Sequence, residues 1–425
     1  MAHPEADLLP ELQEIDLYDP ERYRTSSQHP AWARLREQAP MWAQHTPDGD
    51  RFWSATRHRD VAAILMDDKR FSSEYGTILA VAKGDIAGGR TINLMDQPHH
   101  ARVRLPVMRT MSTRVSRERK ERVREHVRRA VGDAFSSGEV VDVAAFAIHL
   151  PLAAIGDVIG IPRELWPQVP RLAMAGVAPG DPTYSAGGES HTLNNAHLEL
   201  FSMFSELIQE RRRNRRDDVI SALLDIDFGG RPLSDHELLL NCYSFAMGAI
   251  TTTPQVASHL ILELCRQPHI WRRLRADPGL VPSAVEEALR WASPTNHLMR
   301  RVLAPVRVAG VQLEPGELVC TWVASANRDS AVFDDPDTFD PGRTPNPHLA
   351  FGVGAHRCIG GPPAQVVLAV LLEEMLDAVQ EMSLAGEVTH MRSNFINGIT
   401  RLPVLFRPRP GGGAAVGAAS MASSR

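Results

Sequence analysis

The chain has 425 residues, of which 43% are apolar, 23% charged and 6% aromatic, with a formal net charge of −5. This is the composition of a folded globular protein, which excludes a disordered or fibrous chain and supplies no bulk positive charge to hold a nucleic acid. Length alone allows two or three domains.

Taken in chain order, the first 40 residues are polar and acidic, without a basic segment leading into an apolar one, so no signal peptide or anchor is expected. Amphipathic helical periodicity covers residues 32–38, 57–66, 99–111, 116–135, 198–213, 218–225, 234–266, 283–291 and 363–379. Strand-like segments are short: 41–44, 52–55, 306–308, 318–323 and 402–406. The fold class is therefore mainly α with small β-sheets. The most apolar window, 238–264, contains Asn241, Ser244, Thr251, Thr252, Thr253, Pro254, Gln255 and His259, and reads as a buried core helix rather than a membrane span. Arginines in the run 210–218 sit at a helix end beside two aspartates and are expected to be solvated there rather than to bind nucleic acid. No repeat or linker divides the chain, so residues 1–406 are expected to form a single domain and 407–425 a disordered low-complexity tail. Cys242, Cys265, Cys320 and Cys358 lie far apart, which excludes a CxxC zinc site and a disulfide framework and implies a reducing, cytoplasmic setting.

One of those cysteines is presented for chemistry. In Phe351-Gly-Val-Gly-Ala-His-Arg-Cys358-Ile-Gly360, glycines let the backbone bend tightly and approach a flat ligand, and the thiol lies at the mouth of a helix N-terminus. The helix end, His356 and Arg357 are expected to lower the thiol pKa. A thiolate is the axial ligand that pushes electron density onto a haem iron toward O–O cleavage.

This segment resembles the haem-binding loop of the cytochrome P450 family, the haem-thiolate monooxygenases. Further motifs recur in the family's order. Glu287-Ala-Leu-Arg290 fits the ExxR signature, and Phe339-Asp-Pro-Gly-Arg343 places Arg343 where the family completes an ion-pair cluster with Glu287 and Arg290. Met95-Asp-Gln-Pro-His-His-Ala-Arg-Val-Arg104 resembles the segment whose His and Arg contact the haem propionates; His100 and Arg104 take those places, two cations on one helix face, with His99 turned to solvent. A further propionate arginine is expected in Leu298-Met-Arg-Arg-Val-Leu303, where an ungapped count selects Arg300 and a one-residue gap Arg301. The resemblance assigns His356 to a propionate as well, Cys358 to the metal, and Phe351, Gly352 and Ala249 to the cofactor's surroundings.

The resemblance implies the cytochrome P450 fold, with haem b between the long central helix and the cysteine-loop helix. On the central helix the oxygen-activating motif falls on Gly248, Ala249, Ile250, Thr251 and Thr252, which makes Thr252 and Thr251 the catalytic candidates. Two positions depart from the family pattern: Thr251 replaces the acid and Ala249 the usual glycine. A hydroxyl cannot supply protons as a carboxyl-linked network does, so the relay is expected to be altered. Pro254 has no N–H for the Ile250 carbonyl and is expected to open or kink the helix there.

The implied activity is hydroxylation or epoxidation of a sizeable, partly polar small molecule, a tailoring step in natural-product biosynthesis, with an acyl or peptidyl carrier protein as a further partner. Asn296, His297, Asn394 and Asn397 suggest the polarity, and the Gly-, Pro- and Ser-rich stretch 173–190 suggests a mobile lid. Electrons are expected from a ferredoxin and ferredoxin reductase, docking on Arg102, Arg109 and Arg357. Neither a nucleic acid nor a membrane is expected as a partner. The competing reading is a haem-thiolate ligand or gas sensor without turnover.

Overall fold

The computed structural model describes residues 11–135 and 138–410. Helices enclose a large apolar core, and four small sheets line its sides. The central helix, Asp235–Arg266, is 32 residues long and about 48 Å from end to end. It starts where the sequence dictates. The Ser234 hydroxyl accepts the Glu237 N–H at 3.3 Å while the Glu237 carboxylate accepts the Ser234 N–H at 2.8 Å, a reciprocal cap satisfying two otherwise orphaned donors.

Against this axis pack Val281–Ala292, which carries the ExxR motif, and Gly361–Ala378, which follows the cysteine loop. Lys120–Phe135 lies along the latter, and Arg124 bridges the two by donating to Glu373 at 2.6 Å and to Glu374 at 2.8 Å. The five-stranded sheet has the order Met41–His45, Arg51–Ala55, Leu318–Thr321, Leu298–Val302, Phe71–Ser72, and only the second and third strands are parallel. A second sheet joins Val140–Asp142, Pro403–Pro408 and Val379–Leu384.

Several elements escaped the sequence reading. Leu150–Ile159 is a helix buried almost all round, so it has no polar face and no amphipathic period to detect. Leu298–Val302 is an internal strand whose two arginines disguised it. The last strand runs to Pro408, two residues past the expected end of the domain, and the rest of the expected tail, 411–425, lies outside the described residues. The central helix is continuous through Pro254, so the expected opening does not interrupt it. In the arginine run, Arg211 is buried rather than solvated: its Nε donates to Asp218 at 2.5 Å and its Nη2 to the Gly160 carbonyl at 3.2 Å.

The expected lid is fastened down. After the helix Val169–Val177, the buried Asp181 accepts the Thr183 N–H at 2.8 Å and the Arg392 N–H at 2.9 Å, and Arg392 pairs with Glu21 at 2.5 Å. Tyr184 packs among Met174, Met391 and Ile396.

Candidate haem site

The cysteine loop closes on itself. The Cys358 N–H donates to the Phe351 carbonyl at 2.7 Å, the Gly352 N–H to Leu349 at 2.7 Å and the Arg357 N–H to Gly354 at 3.1 Å. Gly352 and Gly354 have φ of +64° and +78°, and a Cβ on Gly354 would sit 2.6 Å from the Leu65 carbonyl oxygen, so the loop rests directly on the helix His58–Met66. Asn327 ties the loop to the ExxR helix: its Oδ1 accepts the Leu349 N–H at 2.7 Å and its Nδ2 donates to Ser293 at 2.8 Å.

Behind the loop, Glu287 and Arg290 are fully buried. Glu287 accepts from Arg290 Nε and Nη2 at 2.8 Å each, Arg343 Nε at 3.2 Å, the Asp340 N–H at 2.9 Å and Asn346 Nδ2 at 3.1 Å. Arg290 also donates to the carbonyls of Asn327, Pro336 and Thr338, at 2.9, 2.8 and 3.1 Å. The expected three-residue cluster is thus a larger hub in which every charge is paired and hydrogen-bonded, the condition for burying ions without a large penalty. Asn327 belongs to the Asn327-Arg328-Asp329 triplet that marks the motif order in the sequence, but neither it nor Asn346 was given a role there.

On the other side of the loop four basic residues converge. The His100 and His356 rings lie 4.2 Å apart, and the charges of Arg104 and Arg300 both bear on His356. Burial, then Arg104, lowers the His100 pKa to about 4; burial, then Arg300 and His100, lowers that of His356 to about 3. Both imidazoles are therefore neutral at pH 7, which corrects the expectation that His100 and Arg104 are two cations on one helix face: only Arg104 carries charge. Arg104 spends one N–H on the Arg357 carbonyl, which also braces the loop. His99 is exposed, its ring beside Phe228. In the strand Leu298–Val302, Arg300 is buried and among the described residues donates only to the Met299 carbonyl, at 2.8 Å, its pKa lowered to about 10 by burial, whereas Arg301 lies over the Tyr75 ring. Of the two alternatives, Arg300 is the one facing the histidines.

The thiol reverses another expectation. Burial raises the Cys358 pKa, and the N–H groups of Gly360 and Gly361 with Arg104 and Arg357 offset this only in part; neutral His356 does not help. Cys358 nonetheless keeps accessible surface.

The donor set fits haem. His100 Nδ1 lies 3.4 Å from Gln97 Nε2, which leaves Nε2 as the N–H, and that buried atom has no partner. With Arg300, a buried cation hydrogen-bonded to no acid among the described residues, it calls for carboxylates such as the propionates, and Cys358 provides the soft ligand for iron.

On the central helix, Thr251 is buried and donates to the Met247 carbonyl at 2.8 Å, while Thr252 is half-exposed and donates to Gly248 at 3.0 Å. Ser244, Gly248 and Thr252 form an i, i+4, i+8 row with accessible surface along the middle of the helix, and Ala249 flanks it; elsewhere on the helix Asp235, His236 and Arg266 are exposed and Leu239 and Tyr243 half-buried. Of the polar residues expected to face a substrate, His297 contacts the Leu79 N–H and the Asn394 carbonyl, Asn394 donates to Tyr18, and Asn397 donates to Ala292. These three hold backbone. Asn296 is fully buried, with neither side-chain polar atom partnered.

A family model described as "Cytochrome P450" matches residues 279–393. The chain is 32% identical to mycinamicin IV hydroxylase/epoxidase of Micromonospora griseorubida, over 88% of this chain and 94% of that protein. It is 30% identical to cytochrome P450 NovI of Streptomyces niveus, over 93% and 97%. The crystal structure of P450 OxyD, involved in the biosynthesis of vancomycin-type antibiotics, superposes with a TM-score of 0.85 at 32% identity, covering 93% of this chain and all of that one. With the cysteine loop, the basic cluster and the Glu287 hub in one enclosure, these likenesses show that the chain belongs to the cytochrome P450 family and is a monooxygenase that uses haem iron.

Proposed function

We propose that this enzyme hydroxylates or epoxidises a sizeable, partly polar small molecule as a tailoring step in natural-product biosynthesis. The observation that carries the reading is the pairing of Cys358 with a buried basic pocket, Arg300 and the unpartnered His100 Nε2, on one side, and an accessible row on the central helix. The hydroxylase/epoxidase and antibiotic-biosynthesis relatives support the reaction and pathway classes.

Haem b, when bound, supplies reductive activation of O2. Cys358 would be its thiolate ligand, with Phe351, Gly352 and Ala249 among its surroundings, and His100, Arg104, Arg300 and His356 would hold its carboxylates. Thr252 moves the proton: its half-exposed hydroxyl can rotate off the Gly248 carbonyl and turn its O–H toward the row. Thr251, buried with its proton committed to Met247, acts on the helix rather than on the reaction. Exposed Arg102, Arg109 and Arg357 suit an acidic ferredoxin, itself reduced by a ferredoxin reductase. The setting is cytoplasmic; among the described residues no helix is long and apolar enough to cross a membrane.

A reduced, CO-bound spectrum without the red-shifted thiolate band would overturn the haem-thiolate assignment. Screening pathway intermediates, free and carrier-bound, by spin-state shift and then by product formation with surrogate ferredoxin and reductase tests the rest. Ligands that shift the spin state but never raise NADPH oxidation would favour the sensor reading, which the missing acid at Thr251 supports.

A further inference from the structure

The turn at residues 90–94 is fixed to the central helix more firmly than a surface loop requires. Asn241, fully buried, accepts the Ile92 N–H on Oδ1 at 2.9 Å and donates to the carbonyls of Arg90 and Glu237 at 2.9 and 2.8 Å. One turn further along, the Ser244 hydroxyl donates to Asn93 Oδ1 at 2.7 Å. Ile92 and Leu94 on either side are buried, so Asn93 is the turn's outward member. With its oxygen held by Ser244, the carboxamide turns its NH2 outward, and that group makes no hydrogen bond among the described residues. Ser244 stands at the head of the accessible row that continues through Gly248 to Thr252, and eight residues of helix separate Ser244 from Thr252 by about 12 Å.

We propose that Asn93, oriented by Ser244, is a specificity-determining hydrogen-bond donor that receives a carbonyl, carboxylate or hydroxyl oxygen of the substrate about two helical turns from the atom that reacts. The inference rests on the monooxygenase reading. It replaces His297, Asn394 and Asn397 as the source of polar selectivity, since their side chains are used by backbone. Ser244 is a positioning residue: it fixes which end of the carboxamide faces outward.

The test uses the haem-loaded enzyme and two probe series, ω-(imidazol-1-yl)alkanoic acids and the matching 1-alkylimidazoles, with chains of about 8, 10 and 12 carbons to bracket the helix span. The imidazole reports binding by its difference spectrum, and the ratio of alkyl to acid dissociation constants isolates the far end. The expected result is a preference for the acid of about tenfold or more at the best-fitting length, the size of one hydrogen bond to a charged group. Asn93→Ala abolishes the preference, Asn93→Asp inverts it by repulsion, and Ser244→Ala reduces it, while alkyl affinities stay unchanged in all three. Asn241 holds the turn independently, and the alkyl series reports any collapse of the site. An acid preference that is absent, or that survives Asn93→Ala and Asn93→Asp, overturns the inference. Failure of every probe to give an imidazole-type spectrum would overturn the haem-thiolate reading instead.

Discussion

Arg290→Ala is the sharpest test of how the cysteine loop is held. The substitution deletes two bonds to Glu287 at 2.8 Å and three to the carbonyls of Asn327, Pro336 and Thr338, all in a fully buried site. Breaking a buried ion pair by removing one partner costs about 3–5 kcal/mol. Here Glu287 keeps Arg343, Asn346 and the Asp340 N–H, which places the pair loss at about 3 kcal/mol. Three carbonyls left without this donor add about 1 kcal/mol each before relaxation. The sum, about 4–6 kcal/mol, is a large share of the 5–15 kcal/mol that typically stabilises a domain. Urea denaturation followed by tryptophan fluorescence should show the midpoint falling accordingly. Arg290→Lys, which keeps the charge but loses the planar fork, should fall in between. A loss below about 1 kcal/mol for Arg290→Ala would refute the reasoning, because it would mean that desolvation cancels the hub's contribution.

Thr252→Val should cut the product formed per NADPH by about tenfold or more, whereas Thr251→Val should change it less than about threefold, because only Thr252 has a hydroxyl free to turn; a larger loss at Thr251 would reverse the assignment. His259 is buried against His390, with Arg266 and Arg328 also bearing on it, and its pKa is lowered from 6.5 to about 3 by burial first and His390 second. The unfolded chain binds this proton below 6.5 and the folded chain resists it down to about 3, so stability falls as pH drops through that window. Urea midpoints at several pH values should show a flatter acid limb for His259→Leu, and an unchanged slope would count against it. Asp181→Ala should speed limited proteolysis of the 178–188 connection by about tenfold, the effect of about 1.4 kcal/mol on local opening, and unchanged cleavage would deny that Asp181 fastens it.

What could be read from the sequence was what is contiguous or periodic. The cysteine loop, the ExxR helix and the boundaries of Asp235–Arg266 are written in adjacent residues, caps and spacing. Charge states were not: His100 is buried and His356 half-buried where Arg104 and Arg300, from different segments, meet beside them, which keeps both neutral, and the Cys358 pKa rises because the same enclosure outweighs its helix terminus. The stretch that looked like a lid is anchored by Arg392, more than two hundred positions away, through a backbone N–H that no pattern of side chains encodes. Leu298–Val302 was missed because its arginines obey the site and not the sheet.

Loop length also favours an order of assembly around the Glu287 hub. Apart from the Glu287–Arg290 pair itself, its links span 37 to 59 positions, from Arg290–Asn327 to Glu287–Asn346, whereas Arg104 meets the Arg357 carbonyl across 253. Closing the longer loop costs about 1.5 kcal/mol more in chain entropy. The half of the haem enclosure that carries Cys358 can therefore condense first from the C-terminal part of the chain, and the half that carries His100 and Arg104 closes over it, so that the two walls meet last where the prosthetic group must enter.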